Sequence, residues 1–396
     1  MPTGTAPKKK EINAWVASIG VSLLLLLLLA MMWYIIGNRY QPSVNQVSNE
    51  DELAQTIAAY QEKFSSLSPS QSITVIPTGI FIQSFEFISA QTVQVSGYVW
   101  QKILKSDLQN GITPGVTFPE SKTGSSMQLA YEFDYDKFKL IGWHFYGVLL
   151  LQNFNYSRYP FDIQSIWIRM WPKDFFKHVL LVPDFASYKS TKPGEIFGLE
   201  EDIVKHGFEF LESYFDMPVM HYDTNFGFSS LLAQRNSLEL YFNIIVKREL
   251  LNAFIVHLLP IVAIWCILFA LTMIITDDKQ MAFRVGLSTT QVFIALGGTI
   301  FSVILMNAGL RTTYTDQPVL YLEFFYLITY IVIMLVSYDA YMITTRHQIP
   351  QALRRNLLPK TLFWPVILAS IVIITAVEFF IFPDDITHWH HGANLK

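Results

Sequence analysis

Apolar segments long enough to cross a lipid bilayer constrain this chain more than any other feature of its sequence. A membrane-spanning helix needs about 20 consecutive, mostly apolar residues. Five runs meet that requirement: Trp15–Ile36, Leu250–Ile275, Met281–Met306, Pro318–Met342 and Leu362–Phe382. The first run stands far from the other four, so the pattern predicts a membrane anchor at 15–36, a separate domain after it, and a four-helix bundle at 249–382.

The first apolar run can be interpreted as a cleaved signal peptide or as a retained anchor. Lysines at positions 8 to 10 precede it, and seven leucines run from Leu23 to Leu29. The apolar region of a signal peptide usually has about 7–15 residues and ends at a small-x-small cleavage site. Here the run is longer, and Gly37-Asn38-Arg39 follows it. We therefore predict an uncleaved anchor, with the lysines holding residues 1–14 in the cytoplasm.

Residues 37–71 are expected to form a linker with one amphipathic helix at Asn49–Leu67. The helix begins with Asn and acidic residues, and its apolar side chains recur at helical spacing. Residues 72–248 then change to short runs rich in β-branched and aromatic residues. The strands are predicted at Ser72–Phe87, Gln91–Leu104, Met127–Tyr135, Lys139–Phe154, Asp162–Met170, Gly207–Tyr214 and Ser237–Val246. Many short strands separated by turns predict a β-sandwich.

Composition excludes several classes of function. The net charge is −4 and no basic block exceeds three lysines, which argues against a nucleic-acid partner. Cys266 is the one cysteine, so the chain cannot form an internal disulfide. The sequence contains no zinc-type Cys/His spacing, no phosphate-binding glycine loop and no nucleophile motif. We therefore expect no metal, no cofactor, no catalytic residues and no enzymatic activity.

The loops between the apolar runs predict the topology. The segment Thr344–Lys360 carries Arg346, Arg354, Arg355 and Lys360, and positive loops stay in the cytoplasm. Counting spans back from this loop places residues 72–248 and the tail 383–396 outside the cytoplasm. The same count places the N-terminus inside, in agreement with its lysines.

The stretch Met281–Asn307 is apolar but carries hydroxyls and glycines at membrane depth. At helical spacing, one stripe alternates small or hydroxylated residues with bulky apolar ones: Gly286, Thr290, Phe293, Gly297 and Ile300. Such a stripe suits the lining of a narrow pore that an apolar ring can close by excluding water. The alternative is a packing helix whose hydroxyls bond to their own backbone carbonyls.

A motif in the predicted β-domain resembles a known family. Tyr159-Pro160-Phe161-Asp162-Ile163-Gln164 resembles the loop of the pentameric ligand-gated ion channels, the Cys-loop receptor superfamily. Gln152 and Ile166 stand where animal members carry cysteines, so the chain looks like the prokaryotic type. Arg248 precedes Pro260 by twelve residues, and Arg284-Val285-Gly286-Leu287 opens the predicted pore helix, as in that family. The resemblance extends from Ile73 to Phe382.

The resemblance implies an extracytoplasmic, ligand-sensing β-sandwich (72–248) followed by a four-helix channel domain. It further implies a homopentamer in a bacterial inner or plasma membrane, opened by a small ligand or by protons, with lipid and permeant ions as its other partners. The residues expected to couple sensing to opening are Glu86, Tyr159, Pro160, Phe161, Asp162, Arg248, Tyr314 and Pro318. Asp162 and Arg248 are expected to form an ion pair, joined by Glu86. The residues expected to bind ligand, or alternatively to pack the sandwich, are Tyr214, His221, Tyr222, Phe226 and Phe228.

Some features depart from the family's pattern. The anchor at 15–36 is an addition, no aromatic box for an ammonium ligand is evident, and the acidic residue of cation-selective members is missing before Arg284. Ion selectivity therefore stays open. Two other functions remain: a non-conducting sensory membrane protein on the same scaffold, and a membrane enzyme using residues such as His257 and Glu323.

Overall fold

The structure is a computed structural model. It describes residues 9–43, 46–64, 73–122, 127–224, 226–227, 236–276, 289–315, 317–345 and 356–381. These residues divide into a helical unit (9–40, 156–162 and 249–381) and a β unit (41–155 and 163–248). Several predictions lie outside the described residues: Gly286, Phe228, the motif at Arg284, most of the basic loop, and the tail 383–396.

The β unit contains eleven described strands in three sheets. They are β1 Thr74–Ser89, β2 Thr92–Leu104, β3 Val116–Thr117, β4 Met127–Asp134, β5 Phe138–Leu151, β6 Ile163–Pro172, β7 Val179–Pro183, β8 Phe208–Asp216, β9 Val219–His221, β10 Asn236–Leu238 and β11 Leu240–Arg248. The first sheet has the order β4-β5-β2-β1-β7, the second β3-β6-β11-β8, and the third pairs β9 with β10. All pairs are antiparallel except β1 with β7.

The β1–β2 hairpin shows why these residues form strands. Along β2, buried and partly exposed residues alternate, and Val93, Val95 and Val99 are fully buried. Successive side chains of a strand point to opposite faces, so this alternation gives the sheet one core face. β-branched side chains also suit the pleated backbone.

Aromatic side chains join the two larger sheets. The Phe87 ring of β1 stacks on Phe208 of β8 at a centroid distance of 4.5 Å, and Phe85 contacts Phe210 at 5.4 Å. Each such pair adds about 0.5–1.5 kcal/mol beyond the area that it buries. A β-sheet-rich domain with an aromatic core between sheets is compatible with the predicted sandwich.

Several strand predictions were wrong in detail. The predicted strand Ser237–Val246 is divided at Glu239, because the Glu239 amide bonds to the Pro218 carbonyl, 3.1 Å away, and ends the β9–β10 pair. Strands β3, β7 and β9 were not predicted, since runs of two to five residues show too little alternation. A short helix, Lys105–Gln109, follows β2 and was not predicted either.

The long apolar helices form the helical unit. The helices are numbered in chain order through both units. The β unit contains the short helices α2 (Glu50–Phe64) and α3 (Lys105–Gln109). The helical unit contains α1 Lys9–Gly37, α4 Leu250–Ile274, α5 Thr289–Thr313, α6 Glu323–Thr345 and α7 Leu357–Ala376. A π-helical turn, Val377–Ile381, extends α7, and another, Phe254–Leu258, lies within α4. Among the described residues, these five helices are long and apolar enough to cross a membrane.

The differences between the observed and predicted bounds of α5 and α6 have physical reasons. α5 continues past Met306 to Thr313, because the polar residues there end the apolar run but not the helix; the Thr312 and Thr313 hydroxyls bond the Gly309 carbonyl. α6 begins at Glu323 rather than Pro318. The Glu323 carboxylate accepts the Leu320 amide at 2.8 Å, which satisfies a donor just before the helix.

Candidate functional site

The loop Tyr156–Asp162, which connects β5 to β6 and which we call the connecting loop, belongs to the helical unit. It is a tight turn, in which the Tyr159 amide donates to the Tyr156 carbonyl and the Phe161 amide to the Arg158 carbonyl, at 2.9 and 2.8 Å. The Tyr159–Pro160 peptide bond is cis. Tyr159 and Asp162 are only 5% and 2% exposed. The loop that carries the family-like motif is thus packed among helices.

One side of the connecting loop contacts α4 and the end of α5. The ring of Tyr314, just after α5, lies 4.7 Å from the Tyr156 ring and 4.9 Å from the Tyr159 ring. Tyr159 also meets His257 of α4 edge-on at 5.8 Å. Three aromatic rings therefore fix the loop against the helix that carries the predicted pore stripe.

The other side of the loop contacts α6 and α7. The Tyr321 amide donates to the Ser157 carbonyl at 2.6 Å, and the Phe161 ring lies 6.0 Å from the Tyr321 ring. Phe161 also contacts Phe379, at the end of α7, at 5.8 Å. The Arg158 guanidinium lies 5.4 Å from the centre of the same Phe379 ring. One short loop thereby contacts all four helices of the bundle.

The linker between α5 and α6 is held by an ion pair that the sequence did not reveal. Arg311 donates from Nε to Oε1 of Glu323 at 2.5 Å and from Nη2 to Oε2 at 2.6 Å. Arg311 also donates to the Gln317 carbonyl at 2.9 Å and to the Pro318 carbonyl at 3.4 Å. This fork-to-fork geometry fixes both partners. Glu323, named above for the alternative of a membrane enzyme, thus binds both Arg311 and the linker.

The predicted Asp162–Arg248–Glu86 cluster stays a prediction. Asp162 is buried in the helical unit. In the β unit, the Arg248 guanidinium lies 4.7 Å from the centre of the Phe208 ring, and Glu86 is exposed on β1 opposite Gln94.

The predicted pore stripe of α5 lies off the face that packs on the rest of the unit. Val292, Leu296, Val303 and Leu310 are between 1% and 5% exposed, and they form the packed face. Thr290, Phe293 and Gly297 are exposed, and Ile300 is partly exposed. The stripe is therefore available to a pore or to another surface.

The structure also contains hydrogen bonds of the kind expected for a packing helix, the alternative interpretation of α5. The Thr299 hydroxyl donates to the Ala295 carbonyl at 2.8 Å and the Ser302 hydroxyl to the Gly298 carbonyl at 3.0 Å. These bonds satisfy two hydroxyls within the helix. Neither residue belongs to the predicted stripe, so the bonds leave both interpretations of the stripe open.

An aromatic cluster lies at the edge of the β unit, where β6 ends. The Trp171 ring is 5.5 Å from Phe175, 6.0 Å from Tyr222 and 6.2 Å from Phe226. The Phe226 ring also contacts the other two, at 5.8 Å from Phe175 and 5.3 Å from Tyr222. We call these four residues the aromatic cluster.

Half of this cluster was missed in the sequence. Tyr222 and Phe226 were predicted to bind ligand, whereas Trp171 and Phe175 were not, although Trp171-Pro172-Lys173-Asp174-Phe175-Phe176 is aromatic-rich directly after a strand. Two other predicted binding residues lie elsewhere. Tyr214 is 4% exposed within β8, and burial raises its pKa. The exposed His221 shares a 2.7 Å hydrogen bond with Asn236.

Charged side chains lie beneath the aromatic cluster. Arg169 forms ion pairs with Glu120 and with Glu239, and its guanidinium is 5.2 Å from the centre of the Trp171 ring. The Tyr222 hydroxyl donates to Glu239 at 2.5 Å. Burial raises the pKa of both Glu120 and Glu239, opposed in each case by the Arg169 charge. Two carboxylates facing one guanidinium give this site an excess of negative charge when both are ionised.

Within the part of the chain that the structure describes, no three His, Cys, Asp or Glu side chains are placed to hold a metal ion. Comparison with known proteins adds no family: no protein-family model and no curated protein matches this chain.

Proposed function

We propose that this chain is a subunit of a homopentameric, ligand-gated ion channel in a bacterial inner or plasma membrane. The observation that carries the proposal is the packing of the connecting loop. This loop lies between β5 and β6 in the chain, and it contacts residues at the ends of four apolar helices, including Tyr314 just after α5. A change within the strands would therefore reach the connecting loop through the covalent chain, and the helix that carries the pore stripe through the ring contacts of Tyr314.

The proposed pore is formed by five copies of α5. One such helix cannot enclose a water path, whereas cyclic symmetry closes a ring of identical subunits. Phe293 would form an apolar ring that excludes water in the closed state, with Thr290 and Gly286 on its cytoplasmic side. The exposure of Phe293, at 42% in the isolated chain, is consistent with a partner or a pore on that side.

The proposed ligand is a small organic cation held by the aromatic cluster. Faces of Trp171 and Tyr222 attract cations, and Glu120 and Glu239 add negative charge beneath them. Protons are the alternative trigger, because the buried carboxyls of Glu120 and Glu239 have raised pKa values. Either trigger opens the channel only by favouring one of two conformations.

Reconstitution tests the conductance. The full chain is placed in liposomes, and ion flux is measured after addition of tetramethylammonium, after a step to acid pH, and without either. Tetramethylammonium-evoked flux that Trp171→Ala abolishes supports the cation site, whereas acid-evoked flux that Glu239→Gln abolishes supports proton gating. Folded, membrane-inserted protein without flux under all three conditions would favour the non-conducting sensor instead.

Two further measurements test the assembly and the topology. Particle symmetry in lipid nanodiscs is expected to be fivefold, and a stable monomer or dimer would contradict the proposal. In a Cys266→Ser background, Ala352→Cys is expected to react with a membrane-impermeant maleimide only from the cytoplasmic side. Labelling of intact cells at that position would overturn the topology.

A further inference from the structure

We infer that the additional N-terminal helix is part of the gating apparatus, with Trp33 as a residue that positions the connecting loop. This inference rests on the proposed channel function. Its first support is that α1 is packed rather than merely inserted. A single stripe of α1, centred on Leu29 and Met32, is buried in the helical unit at 5% and 8% exposure. Near the other end, the Ser18 hydroxyl donates to the Thr361 carbonyl of α7.

The second support is the position of Trp33 itself. Its indole Nε1 donates to the Tyr321 hydroxyl at 3.0 Å, and its ring lies 5.9 Å from Phe161 and 6.4 Å from Phe325. Phe161 belongs to the connecting loop, and the Tyr321 amide holds that loop through Ser157. Trp33 therefore contacts the loop directly through the Phe161 ring, and indirectly through Tyr321, whose amide bonds to Ser157.

The hydrogen bond between Trp33 and Tyr321 stabilises one conformation of this region over others. The Tyr321 hydroxyl also bonds to the Thr375 hydroxyl of α7 at 2.7 Å, so the Tyr321 side chain is fixed by α1 and α7 at once. A buried hydroxyl that loses a hydrogen-bond partner destabilises the structure, because water does not replace that partner. A movement of Tyr321 away from Trp33 would break the indole bond, and a movement of the loop away from Trp33 would break the contact with Phe161. α1 thereby favours the conformation in which both contacts are formed.

The third support is that the chain after α1 is also fixed. Within the β unit, the buried Glu212 carboxylate accepts the Ser43 amide at 3.0 Å and the Gln46 side-chain amide at 2.8 Å. The Val47 amide then pairs with the Phe215 carbonyl of β8 at 2.9 Å. The N-terminal segment is therefore bound on both sides of the short connection 38–42, which makes it more than a tether.

The first test measures loop packing without any current. In a Cys266→Ser background, Ser157→Cys reports access to the connecting loop by its rate of maleimide labelling. Trp33→Ala is expected to raise this rate about threefold to tenfold, because it removes the hydrogen bond to Tyr321 and the ring contact with Phe161 of the loop. The matched control is Tyr34→Ala, because Tyr34 is the next residue of α1 and its side chain is 74% exposed. An unchanged rate in Trp33→Ala overturns the inference.

The second test measures gating with conservative variants that keep the rings. Trp33→Phe is expected to change the ratio of open to closed channels without ligand about threefold or more in the wild-type background. The same change is expected to have no effect in a Tyr321→Phe background, since the shared hydrogen bond is already gone. Additive effects of Trp33→Phe and Tyr321→Phe on the open-to-closed ratio would show that Trp33 only packs. The same conclusion would follow if Trp33→Phe changed the yield of assembled protein but left labelling and gating normal. Absence of current in the wild type contradicts the channel proposal, whereas the labelling test still decides the role of Trp33.

Discussion

The phenol rings of Tyr159 and Tyr314 lie 4.9 Å apart, at an interplanar angle of 47°. Tyr159 is in the turn between two strands, and Tyr314 follows the last turn of α5. These two residues are 155 positions apart in the chain (314 − 159). The contact joins the family-like motif to the helix that carries the predicted pore stripe.

Removing this contact is expected to weaken gating as well as stability. Tyr314→Ala deletes the ring that contacts both Tyr156 and Tyr159. This lowers the free energy of unfolding by about 3–5 kcal/mol if neighbouring side chains do not fill the cavity. We expect a reduced maximal ligand-evoked flux at normal ligand affinity. Flux and tetramethylammonium binding, measured on the same preparation, distinguish coupling from binding. Tyr338→Ala, at a 59% exposed position of α6, is the control and is expected to leave both unchanged.

Phe293 is expected to form the closed gate. Phe293→Ser replaces an apolar ring with a hydroxyl, so water should enter the constriction and raise the ligand-free conductance. Val292→Ser is the matched control, because Val292 is 5% exposed on the packed face and its replacement should lower stability and assembly instead. Single-channel recording with surface expression measured in parallel separates the two effects. Normal expression with an unchanged closed-state leak would remove Phe293 from the gate.

Arg311 and Glu323 are expected to act as one unit. Glu323→Gln removes the charge that Arg311 faces at 2.5 and 2.6 Å, while the amide oxygen can still accept the Leu320 amide. Because Arg311 is 38% exposed, we expect a coupling energy of only about 1 kcal/mol. A double-mutant cycle with Arg311→Gln, measured by thermal unfolding in detergent, gives this energy. Additive losses would show that the pair contributes no mutual stabilisation.

The acid dependence of stability is expected to include a contribution from Glu239. Burial raises its pKa, so the folded state binds this proton more tightly than the unfolded state does. The contribution to stability is therefore greatest at low pH and declines as the pH rises from the unfolded value, about 4.5, through the folded pKa. Glu239→Gln lacks this decline, so its stability relative to wild type should improve between pH 4.5 and 7.

The Tyr222 hydroxyl provides an independent check on that assignment. It donates to Glu239 and lowers the pKa of that carboxyl, in opposition to burial. Tyr222→Phe should therefore raise the pKa of Glu239 further and extend the decline in stability to higher pH. Thermal unfolding of the three proteins across this pH range makes the comparison. A profile of Tyr222→Phe that matches wild type would contradict the assignment.

The sequence by itself determined the elements that depend on local composition. Runs of about 20 apolar residues can satisfy their backbone groups in lipid only as helices, so the five long apolar helices were predictable from hydropathy. Short runs rich in β-branched or aromatic residues likewise predicted most of the long strands, such as β2 and β5. In both cases the physical cause acts within one segment, so one segment carries the information.

Only the tertiary structure decided which segments meet. Seven consecutive leucines carry no periodicity, so the sequence could not show that Leu29 and Met32 of α1 face the bundle, or that Trp33 reaches Phe161 and Tyr321. The aromatic cluster was hidden for a related reason, since Trp171 and Tyr222 lie in strands and turns far apart in the chain. Contacts of this kind are set by packing between elements, which no local pattern records.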